Sequence, residues 1–329
     1  MKKAVEQTRT SLIQILANGE FHSGQVLGER LGISRAAIAN HIKALQSLGI
    51  EVFSVRGRGY KLDKPLNMLS ADKILENTKF TQRNQLHIAN IIASTNDYIK
   101  DHLSNLSSGF CCIAEAQTKG RGRRGRTWVS PYGANIYLSM NWKFSGGYQS
   151  IAGLSLLIGL SINRTLNDIG INSAKLKWPN DVYINSKKLA GILVEVEGQV
   201  GGDTHAIIGL GLNVSMPTDT KGIDQPFIDL QSLSSTHFDR NEIVAYLLNH
   251  LNEMLVEFER CGLTPFLDEY KASDLFCDKP VRLISGTNEV LGISRGINET
   301  GALLVEIDGV ISAHYGGEIS GNEISVRTQ

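Results

Sequence analysis

The feature that most restricts the fold of this chain is a pair of capped helical segments near the N-terminus, separated by one glycine. Ser23 precedes the first amphipathic segment, Gly32 ends it, and Ser34 precedes the second. A serine side chain accepts hydrogen bonds from the first amides of a helix, and glycine adopts the left-handed conformation that ends one. With an earlier helix around Leu12, this pattern predicts a helix-turn-helix at about residues 24–43.

A β-hairpin is predicted directly after these helices, because two short β-like runs flank an Arg-Gly-Arg-Gly turn at residues 56–59. A hairpin added to three helices makes a winged helix, so residues 1–65 are predicted to form one. This segment carries ten lysines and arginines against five acidic residues, whereas the whole chain has no net charge. The basic segment and the acidic remainder are therefore expected to have different partners.

Duplex DNA is the partner that the basic winged helix favours. The second helix of a helix-turn-helix lies in the major groove with its N-terminal residues at base edges, where alanine methyl groups can contact thymine. Arginines on the hairpin suit phosphates. A winged helix that contacts only protein is the alternative, and the positive charge favours DNA over it. The candidate DNA-binding residues are Ser34, Arg35, Ala36, Asn40, Arg56 and Arg58.

The overall composition is that of a globular protein, with 42% hydrophobic and 20% charged residues. The longest apolar stretch, residues 151–160, is about half of a ~20-residue membrane span and predicts a buried helix. The four cysteines form no C-x-x-C motif and no zinc-site spacing, and the N-terminus is too polar for a signal peptide. We expect a cytoplasmic protein with no membrane partner and no disulfides.

The middle of the chain alternates between strand-like and helix-like segments, beginning near residue 66 after Pro65. Several of the strands are joined by hairpins, which predicts a mixed sheet with helices packed on one side. The segment 86–100 is a strand that becomes a helix through Ser94, Thr95 and Asn96. These three polar side chains either cap the helix or point into a site beside the strand end, and the sequence leaves both readings open.

A strongly basic loop, "GRGRRGRTW" at residues 120–128, interrupts this central region. Nucleic-acid backbone, a small phosphate-bearing molecule and plain solvent are the three candidate partners. A nucleotide P-loop or a dinucleotide fingerprint would open a helix, but here Trp128 and Pro131 lead into a strand. Arginine-glycine tracts that bind nucleic acid lie in disordered tails. A cationic flap over a pocket is favoured over a merely solvated loop, because glycine permits close approach and guanidinium groups neutralise phosphate.

Residues 273–329 contain four short β-like runs with turn residues between them, which predicts a small SH3-like barrel. The predicted fold class is therefore α+β in three domains. A winged helix-turn-helix occupies residues 1–65, a central mixed-sheet domain occupies residues 66–272, and the β-barrel occupies residues 273–329.

Three motifs behind a winged helix resemble those of the bifunctional biotin protein ligase/biotin operon repressor family. They are the basic loop at 120–128, "KWPNDVYINSKKLAGILVE" at 177–195 and "GLGLNV" at 209–214. The C-terminal region is similar to the last domain of that family, so the resemblance covers nearly the whole chain. It implies a core like that of class II aminoacyl-tRNA synthetases.

The resemblance implies a ligase that makes biotinyl-5′-adenylate from biotin and ATP with Mg²⁺. Biotin then passes to one lysine of the biotin carboxyl carrier protein of acetyl-CoA carboxylase. The adenylate-bound protein would form a homodimer and bind operator DNA of the biotin operon. Because two anions must meet in the first step, catalysis depends mostly on positioning and positive charge.

The resemblance also assigns residues. Lys188 would be the main electrostatic residue, assisted by Arg121 and Arg123, while Lys187 would be a solvated charge. Asp181 would bind Mg²⁺, with an Asx-turn as the alternative. The implied biotin-binding residues are Ser94, Thr95, Asn96, Gln117, Arg121, Gly122, Arg123, Trp128, Lys188 and Gly191. The implied nucleotide-binding residues are Arg123, Asn180, Asp181, Asn213 and Phe227.

One segment departs from the family pattern. Residues 216–233, where the family has an adenylate-covering loop, carry Phe227 in place of a frequent tryptophan. Two other functions are weighed: a repressor that senses biotin without catalysis, and a lipoate-type protein ligase. Lys188 and the intact basic loop count against a pure sensor, and the N-terminal winged helix counts against a lipoate-type ligase.

Overall fold

The computed structural model describes residues 2–47, 49–79, 82–198, 203–217 and 220–321. Its N-terminal part is the predicted winged helix. Ser23 Oγ accepts a hydrogen bond from the amide of Val26 at 3.1 Å, and Ser34 Oγ accepts one from Ala37 at 3.2 Å. Gly32 is left-handed, with a φ of 66°. The elements are α1 (Lys2–Leu16), α2 (Gly24–Leu31), α3 (Arg35–Ser47), β1 (Val52–Val55) and β2 (Gly59–Leu62).

The helix α3 continues to Ser47, past the predicted helix-turn-helix motif at about residues 24–43 and up to the glycine at position 49 that was expected to stop it. Leu45 explains the extension, because it continues the apolar stripe of Ile38 and Ile42 and is fully buried. Both helices of the pair pack with α1 around one apolar cluster that also includes Leu12.

The central domain contains a seven-stranded sheet in the order β3-β4-β5-β9-β8-β7-β6. Only β3 and β4 are parallel, and every other pair is antiparallel, which confirms the predicted mixed sheet. The strands are β3 (Leu86–Ile92), β4 (Cys111–Gln117), β5 (Ile136–Phe144), β6 (Lys175–Lys177), β7 (Asp181–Ile184), β8 (Lys187–Gly198) and β9 (Thr204–Leu212). The helices are α4 (Ala71–Glu76), α5 (Thr95–His102), α6 (Leu154–Asp168), α7 (Arg240–Cys261) and α8 (Leu267–Ser273).

Helices cover both faces of this sheet, so the prediction of helices on one side was wrong. On β4, Cys111 and Ile113 belong to the large apolar cluster with α6 and α7, whereas Cys112 packs against Ile99 of α5 and Ile207 of β9. Successive residues of a strand point to opposite faces. Because β4 is buried along nearly its whole length, both faces need a cover. The apolar segment at residues 151–160 lies largely in the buried helix α6, as predicted.

A buried ion pair anchors the segment that links the winged helix to the central domain. The guanidinium of Arg240 lies 2.6 Å from the Glu115 carboxylate, and both side chains are 2% exposed. Arg240 also donates to the carbonyl oxygens of Asn67 and Asn135, each at 3.0 Å. Removing one partner of such a pair would leave a buried charge unpaired, so the linker is held firmly at this point.

The winged helix also contacts the central domain directly. Tyr132 and Ala116 of the central domain belong to the apolar cluster of the winged helix. The Tyr132 hydroxyl donates to Asn90 Oδ1 at 2.8 Å, and Asn90 Nδ2 donates to Thr10 Oγ1 at 2.6 Å. This chain of hydrogen bonds joins α1 to the strand β3 and to the segment that follows the basic loop.

The C-terminal part is a five-stranded antiparallel sheet in the order β13-β12-β11-β10-β14. Its first four strands are the four predicted runs, and the fifth, β14, was missed because it has only four residues and pairs with a strand far away in sequence. Residues 322–329 of the predicted domain lie outside the described residues. The strands are β10 (Pro280–Ser285), β11 (Asn288–Ile297), β12 (Leu303–Ile307), β13 (Val310–His314) and β14 (Glu318–Gly321). No helix within the described ranges is long and apolar enough to span a membrane.

Candidate active site

A cavity of about 410 Å³ lies between the basic loop, the strands β7, β8 and β9, and the C-terminal sheet. The structure brings all of the expected biotin- and nucleotide-binding residues to its wall, although they come from distant segments. Those residues are Ser94, Thr95, Asn96, Gln117, Arg121, Gly122, Arg123, Trp128, Asn180, Asp181, Lys188, Gly191, Asn213 and Phe227.

At one end of the cavity, the start of α5 supplies a polar network. Ser94 caps the helix, so one of the two readings of this segment is confirmed for it. The backbone amide and hydroxyl of Thr95 both donate to Gln117 Oε1, at 2.9 and 3.1 Å. Ser139 Oγ, fully buried in β5, lies 2.7 Å from Thr95 Oγ1 and 2.5 Å from Asn96 Oδ1. Sequence reasoning missed Ser139, and its signal is a hydroxyl within an apolar strand.

Three glycines form a flat floor under this network. Gly191 and Gly211 are paired across β8 and β9, and Gly209 lies two residues earlier in β9. A Cβ atom on Gly211 would overlap the indole of Trp128, and one on Gly209 would overlap the carboxamide of Asn96. A Cβ on Gly191 would lie 2.9 Å from Trp128 Cζ3. The glycines therefore let two large side chains lie directly on the sheet.

The wall of the cavity also carries a lysine paired with a carboxylate. Lys188 Nζ lies 2.9 Å from Asp181 Oδ1, and the two side chains are 13% and 17% exposed. The same ammonium group lies 5.5 Å from the ring centroid of Trp128. Its neighbour Lys187 is exposed, as expected. A cation held on the cavity wall in this way is positioned to bind negative charge.

Two further residues near Lys188 were not singled out from the sequence. Lys177 Nζ lies 3.4 Å from the hydroxyl of Tyr183 and 4.9 Å from the centre of its ring. Burial lowers the pKa of Lys177, and burial raises the pKa of Tyr183 to about 12. The cavity thus has a second, partly desolvated cation. Its sequence signal was the lysine that opens the "KWPND" motif.

The segment around Phe227 runs beside Lys188 as a short bridge. The amide of Lys188 donates to Pro226 O and the amide of Ile228 donates to Lys188 O, both at 3.0 Å. Asn213, expected to face a nucleotide, lies on the cavity wall, and its Nδ2 donates to the carbonyl of Ile228 at 3.1 Å. Asn213 therefore holds this segment in place in the structure.

The basic loop closes one side of the cavity as a narrow hairpin. The amide of Trp128 donates to Gly120 O at 2.9 Å, and the amide of Gly122 donates to Arg126 O at 2.7 Å. Arg123 Nη1 donates to Asn180 Oδ1 at 2.9 Å, and burial lowers the pKa of this arginine. The loop therefore places one guanidinium inside the site.

The C-terminal sheet meets the outer side of the loop. Glu318 of β14 lies 3.0 Å from Arg126 Nη2 and 3.4 Å from Arg124 Nη1. No group of three or more His, Cys, Asp or Glu side chains in the described part of the chain could hold a metal ion by itself.

The candidate DNA-binding residues all lie on the exposed surface of the winged helix. One directly precedes α3, three lie in its first two turns, and two are in the hairpin turn between β1 and β2. The guanidinium of Arg58 stacks on Phe21, with Cζ 4.1 Å from the ring centroid. The exposed residues are Ser34, Arg35, Ala36, Asn40, Arg56 and Arg58.

Comparisons with known proteins agree with this architecture. The central region, residues 88–213, matches the biotin/lipoate A/B protein ligase family. Residues 8–61 match an HTH domain, and residues 276–321 match the biotin protein ligase C-terminal domain. The biotin protein ligase of Aquifex aeolicus, solved in complex with biotin and ATP, superposes with a TM-score of 0.63 at 29% identity, covering 71% of this chain and 97% of that one.

Two curated relatives match almost end to end. The bifunctional ligase/repressor BirA of Salmonella typhimurium is 48% identical over 311 residues, which is 94% of this chain and 96% of the relative. The protein of the same name from Escherichia coli is 46% identical over 310 residues, covering 94% and 95%. The three matched regions thus lie in a chain that is similar to these relatives almost from end to end, and the chain belongs to the family of bifunctional ligase/repressors.

Proposed function

We propose that the protein activates biotin with ATP to form biotinyl-5′-adenylate and transfers biotin to a lysine of the biotin carboxyl carrier protein of acetyl-CoA carboxylase. With the adenylate bound, it forms a homodimer that represses the biotin operon. The observation that carries the proposal is the position of Lys188, which lies on one cavity between the polar network of α5 and the arginine of the basic loop.

The chemistry of the first step requires positive charge. The biotin carboxylate attacks the α-phosphate of ATP while pyrophosphate leaves, so two anions are brought together and negative charge builds on the phosphate oxygens. Lys188, Lys177 and Arg123 all line the cavity where this charge develops. Preorganised cations in a partly dry site stabilise such a transition state more than cations in water do.

The polar end of the cavity suits the ureido ring of biotin. That ring carries one carbonyl acceptor and two N–H donors, and it would face the hydroxyl and carboxamide groups of Thr95, Asn96 and Gln117 on the cavity wall. Lipoate has a dithiolane at the equivalent end and could not pair these groups. A site built to bond a polar ring rejects an analogue that leaves its buried groups unpaired, so biotin is favoured over lipoate.

Mg²⁺ is proposed to enter with the triphosphate. Mg²⁺ bound with nucleotides typically takes one or two protein carboxylates and completes its shell with phosphates and water. Asp181, a cavity carboxylate beside Lys188, fits that donor set. When bound, the metal would neutralise charge on the leaving pyrophosphate. Asp181 would orient Lys188 both with and without the metal.

One assay tests this function. Purified protein is mixed with ATP, Mg²⁺ and either biotin or lipoate, and pyrophosphate is measured. We expect a burst close to one pyrophosphate per protein with biotin, continuous turnover once carrier protein is added, and no release in excess EDTA. A burst with lipoate alone would identify a lipoate-type ligase, and no release with either acid would identify a sensor without catalysis.

The DNA-binding part of the proposal predicts a specific salt response. Each phosphate contact that is lost lowers the slope of log affinity against log salt concentration by about 1. Arg56→Gln with Arg58→Gln should therefore weaken binding to any duplex and lower that slope by about 2. Fluorescence anisotropy with labelled duplex measures both quantities. Lys271→Gln, which removes one exposed charge from α8, is the matched control and should leave DNA binding unchanged.

The proposed dimer fits the size of one winged helix, which covers only a short half-site of DNA. Specific binding then requires two copies on a two-fold operator. Biotin together with ATP is expected to raise operator affinity and to shift the protein to dimers in sedimentation. Equal affinity with and without these two ligands would refute the coupling.

The glycine floor makes a separate prediction. Gly211→Ala should displace the Trp128 indole, because the added methyl group occupies the same space. Overpacking of this kind costs about 1–3 kcal/mol, so biotin affinity measured by calorimetry should fall by about fivefold or more. Gly316→Ala, where a Cβ meets nothing within 4 Å, should bind biotin like the unchanged protein.

We also propose finer fold assignments, on the basis of the family matches and the sheet topology. We place domain boundaries at residues 1–65, 66–272 and 273–329, and the three family matches fall inside them. The central sheet is proposed to be of the class II synthetase type. The five antiparallel strands of the C-terminal sheet are proposed to form an SH3-like barrel, a fold that consists of short strands in this number.

A further inference from the structure

The root of the basic loop is hydrogen-bonded to the central domain through Arg121, which lies between two carboxylates. Arg121 Nη1 lies 2.6 and 2.8 Å from the two carboxylate oxygens of Asp97, and Nη2 lies 3.1 Å from both oxygens of Glu195. Asp97 is in the first turn of α5 and Glu195 is on β8. The loop is thus joined to two separate elements that also carry cavity residues.

Glu195 also contacts Asn96, at the polar end of the cavity that is proposed to hold the ureido ring and is called the biotin end below. Its Oε2 accepts a hydrogen bond from Asn96 Nδ2 at 2.6 Å, while Ser139 Oγ lies beside Asn96 Oδ1. The carboxamide of Asn96 is therefore oriented by partners on both sides. The Glu195 carboxylate therefore contacts both Asn96, at the biotin end of the cavity, and Arg121, at the root of the loop.

We propose that Glu195 is a positioning residue that couples the biotin end of the cavity to the basic loop through Arg121, so that the root of the loop stays fixed and only its tip opens. The tip, residues 122–126, contains Gly122 and Gly125, and Gly125 has a φ of 72° that favours glycine. Its ties to the rest of the protein, among those that the structure describes, are the contacts of Arg123, Arg124 and Arg126.

This inference deepens the proposed function, because a fixed root and a movable tip are what a lid over the adenylate needs. Loss of the Glu195 charge should release Arg121 and also let the Asn96 carboxamide reorient. Loss of the Asp97 charge should release only Arg121. Substitution of Glu195 and substitution of Asp97 should therefore affect biotin binding differently. This difference distinguishes a coupling role of Glu195 from a merely structural one.

Four variants of the full-length chain test the coupling: Glu195→Gln, Asp97→Asn, Arg121→Gln and the double variant Arg121→Gln/Glu195→Gln. The first readout needs no assumption about function. It is the rate at which trypsin cuts after Arg123 or Arg124 in the folded, ligand-free protein, followed by mass spectrometry. The second readout is the dissociation rate of the adenylate, and the third is biotin affinity.

Each single substitution should speed loop cleavage and adenylate release by about fivefold or more, since a charged hydrogen bond is lost at a partly exposed site. The double variant should be no faster than the faster single variant, because both substitutions break one contact. Glu195→Gln should also weaken biotin binding, whereas Asp97→Asn should leave it within about twofold, because Glu195 and not Asp97 accepts the hydrogen bond of the Asn96 carboxamide.

Glu197→Gln is the matched control. Glu197 lies two residues along the same strand and pairs with Lys100 instead of the loop. It should leave all three readouts unchanged. Unchanged loop cleavage in Glu195→Gln would overturn the inference whatever the protein binds. Faster cleavage with an unchanged adenylate dissociation rate would overturn the coupling to retention while leaving the ligase function intact, and thermal unfolding confirms that each variant is folded.

Discussion

Lys188→Ala is expected to lose about 10²–10³-fold in the rate of adenylate formation, by analogy with the removal of other groups that stabilise charge in a transition state. The ammonium group lies on the wall of the cavity in which we propose that this negative charge develops. Biotin affinity should fall much less, because the charge matters most in the transition state and the polar network of α5 is untouched. Single-turnover pyrophosphate release and calorimetry measure the two effects separately.

The neighbouring lysine supplies the control for this experiment. Lys187→Ala removes the same side chain from the exposed face of β8 and should form adenylate at the normal rate. Removal of Lys188 also leaves Asp181 without its cation in a largely buried position. A check of thermal stability is therefore included. Wild-type adenylate formation by folded Lys188→Ala protein would show that the role assigned to Lys188 is wrong.

Arg123→Gly is expected to form adenylate but release it early. The substitution removes the hydrogen bond to Asn180 and leaves Lys188 and Asp181 in place. A hydrogen bond to a charged group contributes about 1.5–3 kcal/mol, so adenylate dissociation should rise by about tenfold to a hundredfold. Released mixed anhydride acylates any amine. Biotin should then appear on lysines of an unrelated protein added to the mixture, as detected by streptavidin blotting.

Arg124→Gly tests whether flexibility alone explains such release. Arg124 is the next residue and already has a left-handed φ of 55° that glycine adopts without strain. Within the described part of the chain, its ion pair is the partly exposed one with Glu318. Exposed ion pairs contribute about 0–1 kcal/mol, so its adenylate dissociation should change by less than about fivefold. If both variants label bystander protein equally, or neither does, Arg123 is not the residue that holds the lid.

The local patterns of the sequence were sufficient for the winged helix and for most strands. Ser23, Gly32 and Ser34 each control the backbone within a few residues of themselves, so their effect can be read without knowing the rest of the fold. The motif residues of the cavity were also found, because the resemblance linked three distant segments that the chain brings together. Local order and family motifs are the two kinds of information that a linear sequence carries directly.

Other features depended on contacts between distant parts of the chain. The position of α5 on the second face of the sheet follows from Cys112 and Ile207, which are neighbours only after the strands pair. The short strand β14 exists because β10 offers it a free edge. No local signal distinguishes such residues from others of the same type.

The amino-acid sequence by itself determined the helix caps, the hydrophobic pattern of each strand and the presence of the three family motifs. Only the tertiary structure decided which polar side chains meet: Lys188 with Asp181, Arg123 with Asn180, and Arg121 with Asp97 and Glu195. The physical reason is the distance along the chain over which each interaction acts. Caps and periodicity act over one or two helical turns, whereas an ion pair forms wherever the packing of the sheet and its loops brings two side chains within a few ångströms.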